Sequence, residues 1–183
     1  MSKKLLVFLA NGLEEIEAIS SIDILRRAGL DVTTVTLSEK TVHGSHDIDI
    51  IADESIDNLV ISDFDGIVFP GGLPGATNLR DDDRIIKIVQ DFNKKDKLIA
   101  AICAAPMILD KAGILEGRKF TMHPGEEENV KHKSEGTRTM VDGNIITGIA
   151  SGAAIEFAYR IVEKLLGKDK VEQVNKGVIA RID

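Results

Sequence analysis

The strongest constraint on this chain is a repeated alternation. Short apolar runs of strand length are separated by longer segments with helical periodicity. That pattern predicts a largely parallel sheet covered by helices on both faces. KKLLVFLA (3–10) is a near-continuous apolar run of the kind buried in a parallel strand. EEIEAISSIDILRRAG follows: Ile16, Ile19, Ile22 and Leu25 recur at helical spacing, acids open the segment, Arg26 and Arg27 close it, and Gly29 stops it. DVTTVTL (31–37), FDGIVFPGG (64–72) and KLIAAI (97–102) read as further strands, DDDRIIKIVQDFNKK (81–95) as an amphipathic helix and AAPMILDKAG (104–113) as a short one. TVHGSHDIDIIADESI (41–56) alternates about a glycine turn and is expected to form a small hairpin. RKFTMHPG, TRTMV and NIITGI are expected as strands, the last two joined at Asp142-Gly143 by a type I′ turn. SGAAIEFAYRIVEKLLG (151–167) reads as a helix with a serine cap and a glycine stop, and 169–177 as a last short helix. With no repeat, linker or low-complexity stretch, residues 1–183 are expected to form one doubly wound α/β domain.

Composition narrows the function. The 30 acidic residues outnumber the 23 basic ones, and the net charge of -7 disfavours nucleic acid or anionic membrane surfaces as partners. A single tyrosine and no tryptophan argue against a base-stacking platform. The opening MSKKLLVFLANG is too short in its apolar part for a signal sequence and reads as the first strand, and no stretch approaches the roughly 20 apolar residues that span a bilayer. One cysteine cannot make an internal disulfide, so a reducing, cytoplasmic setting is expected.

That cysteine, Cys103, stands in LIAAICAAP (98–106), between a strand and a helix, at the edge where doubly wound sheets gather ligands. It is either a small buried side chain or a nucleophile on a sharp turn. Such a turn needs small neighbours, and Ala100, Ala101, Ala104 and Ala105 supply them; a helix N-terminus would favour the thiolate and lower its pKa. FPGG ends the preceding parallel strand, so Gly71 and Gly72 should lie beside Cys103, and the N–H groups of Gly72 and Ala104 could pair as an oxyanion hole; an ordinary glycine turn reads the same way. Glu17, one turn into the first helix, shares a face with Glu14 while Glu15 points away. It is either a surface acid suited to the helix dipole or a desolvated carboxyl aimed at the thiol.

LANGLEEIEAISSIDILRRAGLDV, DGIVFPGGLPGATNL, LIAAICAAPMIL, FTMHPG and IEFAYRIVEKLLG, in this order over residues 9–167, resemble the ThiJ/PfpI superfamily and more closely its Parkinson-disease deglycase-like branch. The resemblance implies a flavodoxin-like, class I glutamine amidotransferase-like fold and a homodimer. It implies that Cys103 is the nucleophile and redox-sensitive thiol, that Glu17 is a protonated glutamate bonded to it, that Gly72 is the oxyanion glycine and that His123 is the histidine of the family's HP pair. It also implies glutathione-independent conversion of methylglyoxal to lactate, deglycation of early protein adducts, and oxidative-stress sensing or chaperoning. Two positions depart from the pattern. The peptidase branch follows its cysteine with a histidine; here Ala104 stands there, which argues against a PfpI-type peptidase. The close branch brings an arginine to the thiol from the stretch matching GSHD; here that place is His46, implying weaker or pH-dependent anion binding.

The mechanism expected on this reading has Cys103 attack the aldehyde carbon of a small 2-oxoaldehyde, with Gly72 and Ala104 holding the oxyanion and Glu17 or His123 moving the proton. No cofactor or metal is required: His43, His46, His123 and His132 make no convincing ligand set, and PGEEENVKHK (124–133) reads as a solvated charged loop. The alternative from another class is an oxidation sensor in which Cys103 becomes a sulfinate.

Overall fold

The computed structural model describes residues 2–181. Its strands are β1 (Lys4–Leu9), β2 (Asp31–Thr36), β3 (Thr41–His43), β4 (Asp49–Ile51), β5 (Glu54–Ser55), β6 (Gly66–Phe69), β7 (Leu98–Ile102), β8 (Thr139–Asp142) and β9 (Ile145–Gly148). Its α-helices are α1 (Glu15–Arg27), α2 (Gly75–Arg80), α3 (Asp83–Lys94), α4 (Pro106–Lys111), α5 (Ala154–Leu166) and α6 (Lys168–Val178). Seven strands form one sheet in the order β5-β2-β1-β6-β7-β9-β8; the ladders are parallel except between β8 and β9, and β3 and β4 make a separate hairpin. This is the doubly wound, largely parallel sheet that the alternation of runs predicts, and the flavodoxin-like fold that the family resemblance implies.

The central strands are apolar at every position because both faces are covered. Leu5, Val7 and Leu9 face a core built with α1, α5 and α6, while Leu6 and Phe8 face a second core with α2, α3 and α4. Register sets Val7 beside Val68, Val68 beside Ala100 and Ala100 beside Ile146, so the ends of β1, β6 and β7 reach one edge together. Phe8 and Phe69 stack across neighbouring strands with centroids 5.1 Å apart.

Three local expectations are corrected, and one short helix is added. RKFTMHPG is not a strand: β8 already occupies the free edge of β9, so residues 118–123 pass beside the sheet and are held by side-chain hydroxyls. Thr121 N donates to Thr147 Oγ1 at 2.8 Å and Met122 N to Ser134 Oγ at 3.2 Å. The LPGATNLR stretch, to which the sequence pattern assigns no element, contains the six-residue α2, too short to show a period. Ser151 does not cap α5 but opens a 3₁₀ turn that leads into it. In α1, Ile22 and Leu25 are buried as their spacing suggests, but Ile16 and Ile19 are 57% and 47% exposed; Ala18, Ser21 and Ile24 complete the buried face instead.

Candidate active site

Cys103 follows the last residue of β7 with φ +64°, in the left-handed region. A non-glycine residue there costs on the order of 1–3 kcal/mol and persists only where neighbours fix it. Here Cys103 N donates to Gly148 O at 2.9 Å, and His123 N donates to Cys103 O at 2.9 Å. Ala105 N donates to Ile102 O at 3.0 Å, closing the turn before Pro106 opens α4. The flanking alanines are buried, where larger side chains would not fit. The result is a sharp strand-to-helix turn with Cys103 partly exposed at its corner.

Glu17 is fully buried on α1, and its Oε2 accepts the N–H of Gly71 at 2.8 Å. Gly71 has to be glycine: a Cβ would lie 2.7 Å from Cys103 Cβ and 2.8 Å from Glu17 Oε2. The other oxygen, Oε1, is sealed from solvent without a well-aligned partner, although carboxyl and thiol lie close enough to perturb each other. Glu14 caps α1 by accepting Glu17 N at 2.8 Å, and its own N–H donates to Gly71 O at 2.9 Å. The chain of bonds therefore ties the start of α1 to the turn after β6. Gly72, at φ +86°, lies against the same backbone, where a Cβ would overlap Glu14 N.

Burial pushes the Glu17 carboxyl up to about 7, against the pull of the Gly71 N–H and the thiol. Burial and then the charge of an ionised Glu17 push the Cys103 thiol up to about 12, while the N–H groups of Ala104 and Gly72 pull it down. The expected lowering of the thiol by a helix N-terminus is thereby corrected. The helix begins only at Pro106, and burial of the thiol, with the carboxylate beside it, outweighs two N–H dipoles. Glu17 and Cys103 titrate as a unit. When Glu17 holds the proton its charge is gone and it becomes a donor to sulfur.

Gly71, Gly72, Ala104, Glu17 and Cys103 thus come together. His123 and His46 are placed differently. His123 is bonded to Cys103 through backbone; its ring Nδ1 accepts Gly125 N–H at 3.0 Å and caps the turn over 124–129. His46, on the β3–β4 connection, is bonded to Glu15: its N–H donates to Oε1 at 2.6 Å and its Nδ1 lies 2.9 Å from Oε2. Burial alone would raise Glu15, but the bonds and charge of His46 bring it down to about 2. Glu14, Glu15 and His46 are also the grouping of metal-type donors found among the described residues, with ligand atoms within 4.8 Å of one another. Both Glu15 oxygens are taken by His46, so an ion pair occupies that place. A cleft of about 460 Å³ beside the ends of β1 and β2 is lined by Asn11, Thr36, Glu39 and Asn78, not by the thiol site.

The sequence profile of the DJ-1/PfpI family matches residues 3–164. The chain belongs to that family. DJ-1/PfpI relatives include protein dj-1beta of Drosophila melanogaster, 39% identical over 98% of both chains. The crystal structure of Drosophila melanogaster DJ-1beta superposes with a TM-score of 0.94 at 39% identity, covering 100% of both chains. A Toxoplasma gondii DJ-1 structure, described as oxidized, gives 0.93 at 33% identity over 99% of this chain and 100% of its own. What sequence reading missed in this DJ-1/PfpI chain is Glu15: its partner lies 31 residues away, and the one clue was a glycine at position 44.

Proposed function

We propose that this chain is a cysteine-dependent, glutathione-independent enzyme of small 2-oxoaldehydes such as methylglyoxal, or of their early adducts on proteins and amino acids. The observation that supports it most is Cys103 on a left-handed elbow with a buried, proton-holding Glu17 and two N–H groups turned to its sulfur. Cys103 Sγ adds to the aldehyde carbon, forming a C–S bond while the carbonyl oxygen takes the charge. Gly72 and Ala104 N–H receive that oxygen, and Gly71 leaves the room for it. Glu17 gives the proton it holds to that oxygen, and the carboxylate so formed, poised near neutral pH, takes the proton from the first carbon and returns it to the second through an enediol. The first carbon is oxidised and the second reduced within one molecule, so no external electron carrier enters. Water then cleaves the thioester and releases the 2-hydroxy acid and the thiol. His123 offers Nε2 as a second route for the proton, and His46 replaces a permanent cation with a titratable one.

The working unit in this proposal is a cytoplasmic homodimer of one domain per chain. Ile16, Ile19, Ile48 and Ile51, all exposed on α1 and on the hairpin fastened to its first turn, supply an apolar face for the second copy. No described helix is long and apolar enough to cross a membrane.

A second reading is favoured by the unpartnered Oε1 of Glu17. Peroxide would give Cys103 two oxygens, being reduced to water, and a protonated Glu17 would donate to the sulfinate. The test is lactate formation from methylglyoxal. Wild-type turnover that vanishes in Cys103→Ala and Glu17→Gln supports the enzyme; no turnover, with a clean gain of two oxygens under mild peroxide, supports the sensor.

A further inference from the structure

Glu15 points away from the thiol, yet its side chain is only 6% exposed. The bonds that bury it come from the connection between β3 and β4: His46 N at 2.6 Å, His46 Nδ1 at 2.9 Å and Ser45 Oγ at 3.4 Å. Gly44 leaves the space, since a Cβ there would overlap Glu15 Oε1. Backbone bonds run alongside. Gly12 N donates to His43 O at 2.8 Å, Ser45 N to Leu13 O at 2.9 Å, and Leu13 bridges Gly44. On its other side the same turn is bonded to the thiol site, through Glu14 N to Gly71 O and Gly71 N to Glu17 Oε2. Residues 11–17 are therefore held between the hairpin tip and the glycines beside Cys103.

We propose that Glu15 and His46 form a positioning clasp, which fixes Glu17 and Gly71 against Cys103 and loosens as His46 loses its proton. Its effect on turnover rests on the chemistry proposed above; its effect on the turn does not. The groups facing His46 are Glu15 and Glu14 from the start of α1 and Asp47 from its own connection, while His43 and Asp49, 2.5 Å apart, brace the hairpin itself. All three acids around His46 favour its charged form, and the bond to Glu15 does so most, so its pKa is raised from 6.5. The charged clasp is complete below that ordinary value and fades as pH rises through the raised one. The bond from His46 N to Oε1 does not titrate and leaves a residual hold.

The test is hydrogen exchange at the amides of Gly12 and Ser45, as protection factors, beside iodoacetamide alkylation of Cys103, in wild type, Glu15→Gln and His46→Arg. Wild-type protection falls about fivefold on going from low to high pH, the size of one exposed ion pair. Glu15→Gln is low throughout and moves the pH at which alkylation rises, which lost stability alone would not do. His46→Arg keeps protection high at both ends, because a guanidinium stays charged and donates to the carboxylate. Wild-type protection that is flat with pH and matched by Glu15→Gln overturns the clasp, even where lactate still forms. Protection behaving as stated in a protein that makes no lactate leaves the clasp standing and removes the chemistry.

Discussion

Glu17 and Gly71, 54 residues apart, are joined by an N–H···O bond of 2.8 Å inside the protein, and that bond only partly offsets the burial of the carboxyl. A folded pKa of about 7 against 4.5 means that the folded protein holds a proton which the unfolded chain releases. Stability from this group is full below 4.5, declines as pH rises towards 7, and is lower by about 3 kcal/mol above it. Glu17→Gln removes the ionisation and keeps an acceptor for Gly71. The variant is expected to match wild type near pH 4.5 and to exceed it by about 1–3 kcal/mol at pH 8 in urea unfolding. A variant less stable at both pH values would refute the assignment.

Cys103 should titrate in two limbs. With one proton shared between carboxyl and thiol, the alkylation rate rises as the pair loses its first proton near 7, levels off, and rises again towards 12. The height of the plateau measures how often Glu17 rather than sulfur holds the remaining proton. Glu17→Gln leaves a single limb. Iodoacetamide rates measured across this range decide it, and a single limb in wild type would show that the two groups do not couple.

The path to this site was legible in part. The apolar runs gave β1, β6 and β7 because those strands are buried on both faces, and the alanines around Cys103 marked the elbow because its geometry excludes larger side chains. Residues 118–123 were misread because their burial is satisfied by hydroxyls of Thr147 and Ser134, far along the chain, and not by a ladder. Ile16 and Ile19 share a helical period with Ile22 but lie beyond the reach of the core; periodicity cannot tell a core face from an exposed apolar one. The thiol's upward push was missed because burial, its largest cause, is not legible in sequence; Glu17 was placed near the thiol, but not as a charge acting against the thiolate.

Gly71→Ala should separate geometry from general stability. Its Cβ would come within 2.7 Å of Cys103 Cβ and 2.8 Å of both Glu17 Oε2 and Ile102 O, so the backbone and the side chains of Cys103 and Glu17 have to shift. Overpacking of this kind costs about 1–3 kcal/mol. Lactate formation is expected to fall by about 10² or more, as misplacement near 1 Å does. Gly113→Ala is the control: its φ is +75°, yet no atom lies within 4 Å of a new Cβ. It should cost on the order of 1 kcal/mol through strain and leave kcat unchanged. Equal activity in the two variants would remove Gly71 from the site.

The exposed isoleucines give the last expectation. Ile16 and Ile51 are 57% and 77% exposed, one on α1 and one on β4, and the bond from Ser45 N to Leu13 O fastens that hairpin to the first turn of the helix. Covering such side chains in a second copy removes roughly 1.5–3 kcal/mol of unfavourable hydration for each one fully buried. A lysine at each position instead buries two unpaired charges per chain, which no interface of ordinary size tolerates. Ile16→Lys with Ile51→Lys should therefore move the protein, by sedimentation, from twice the 19.9 kDa chain mass to the chain mass itself, with the far-UV spectrum retained. A double variant that still sediments as the wild type does would place the second copy on another face.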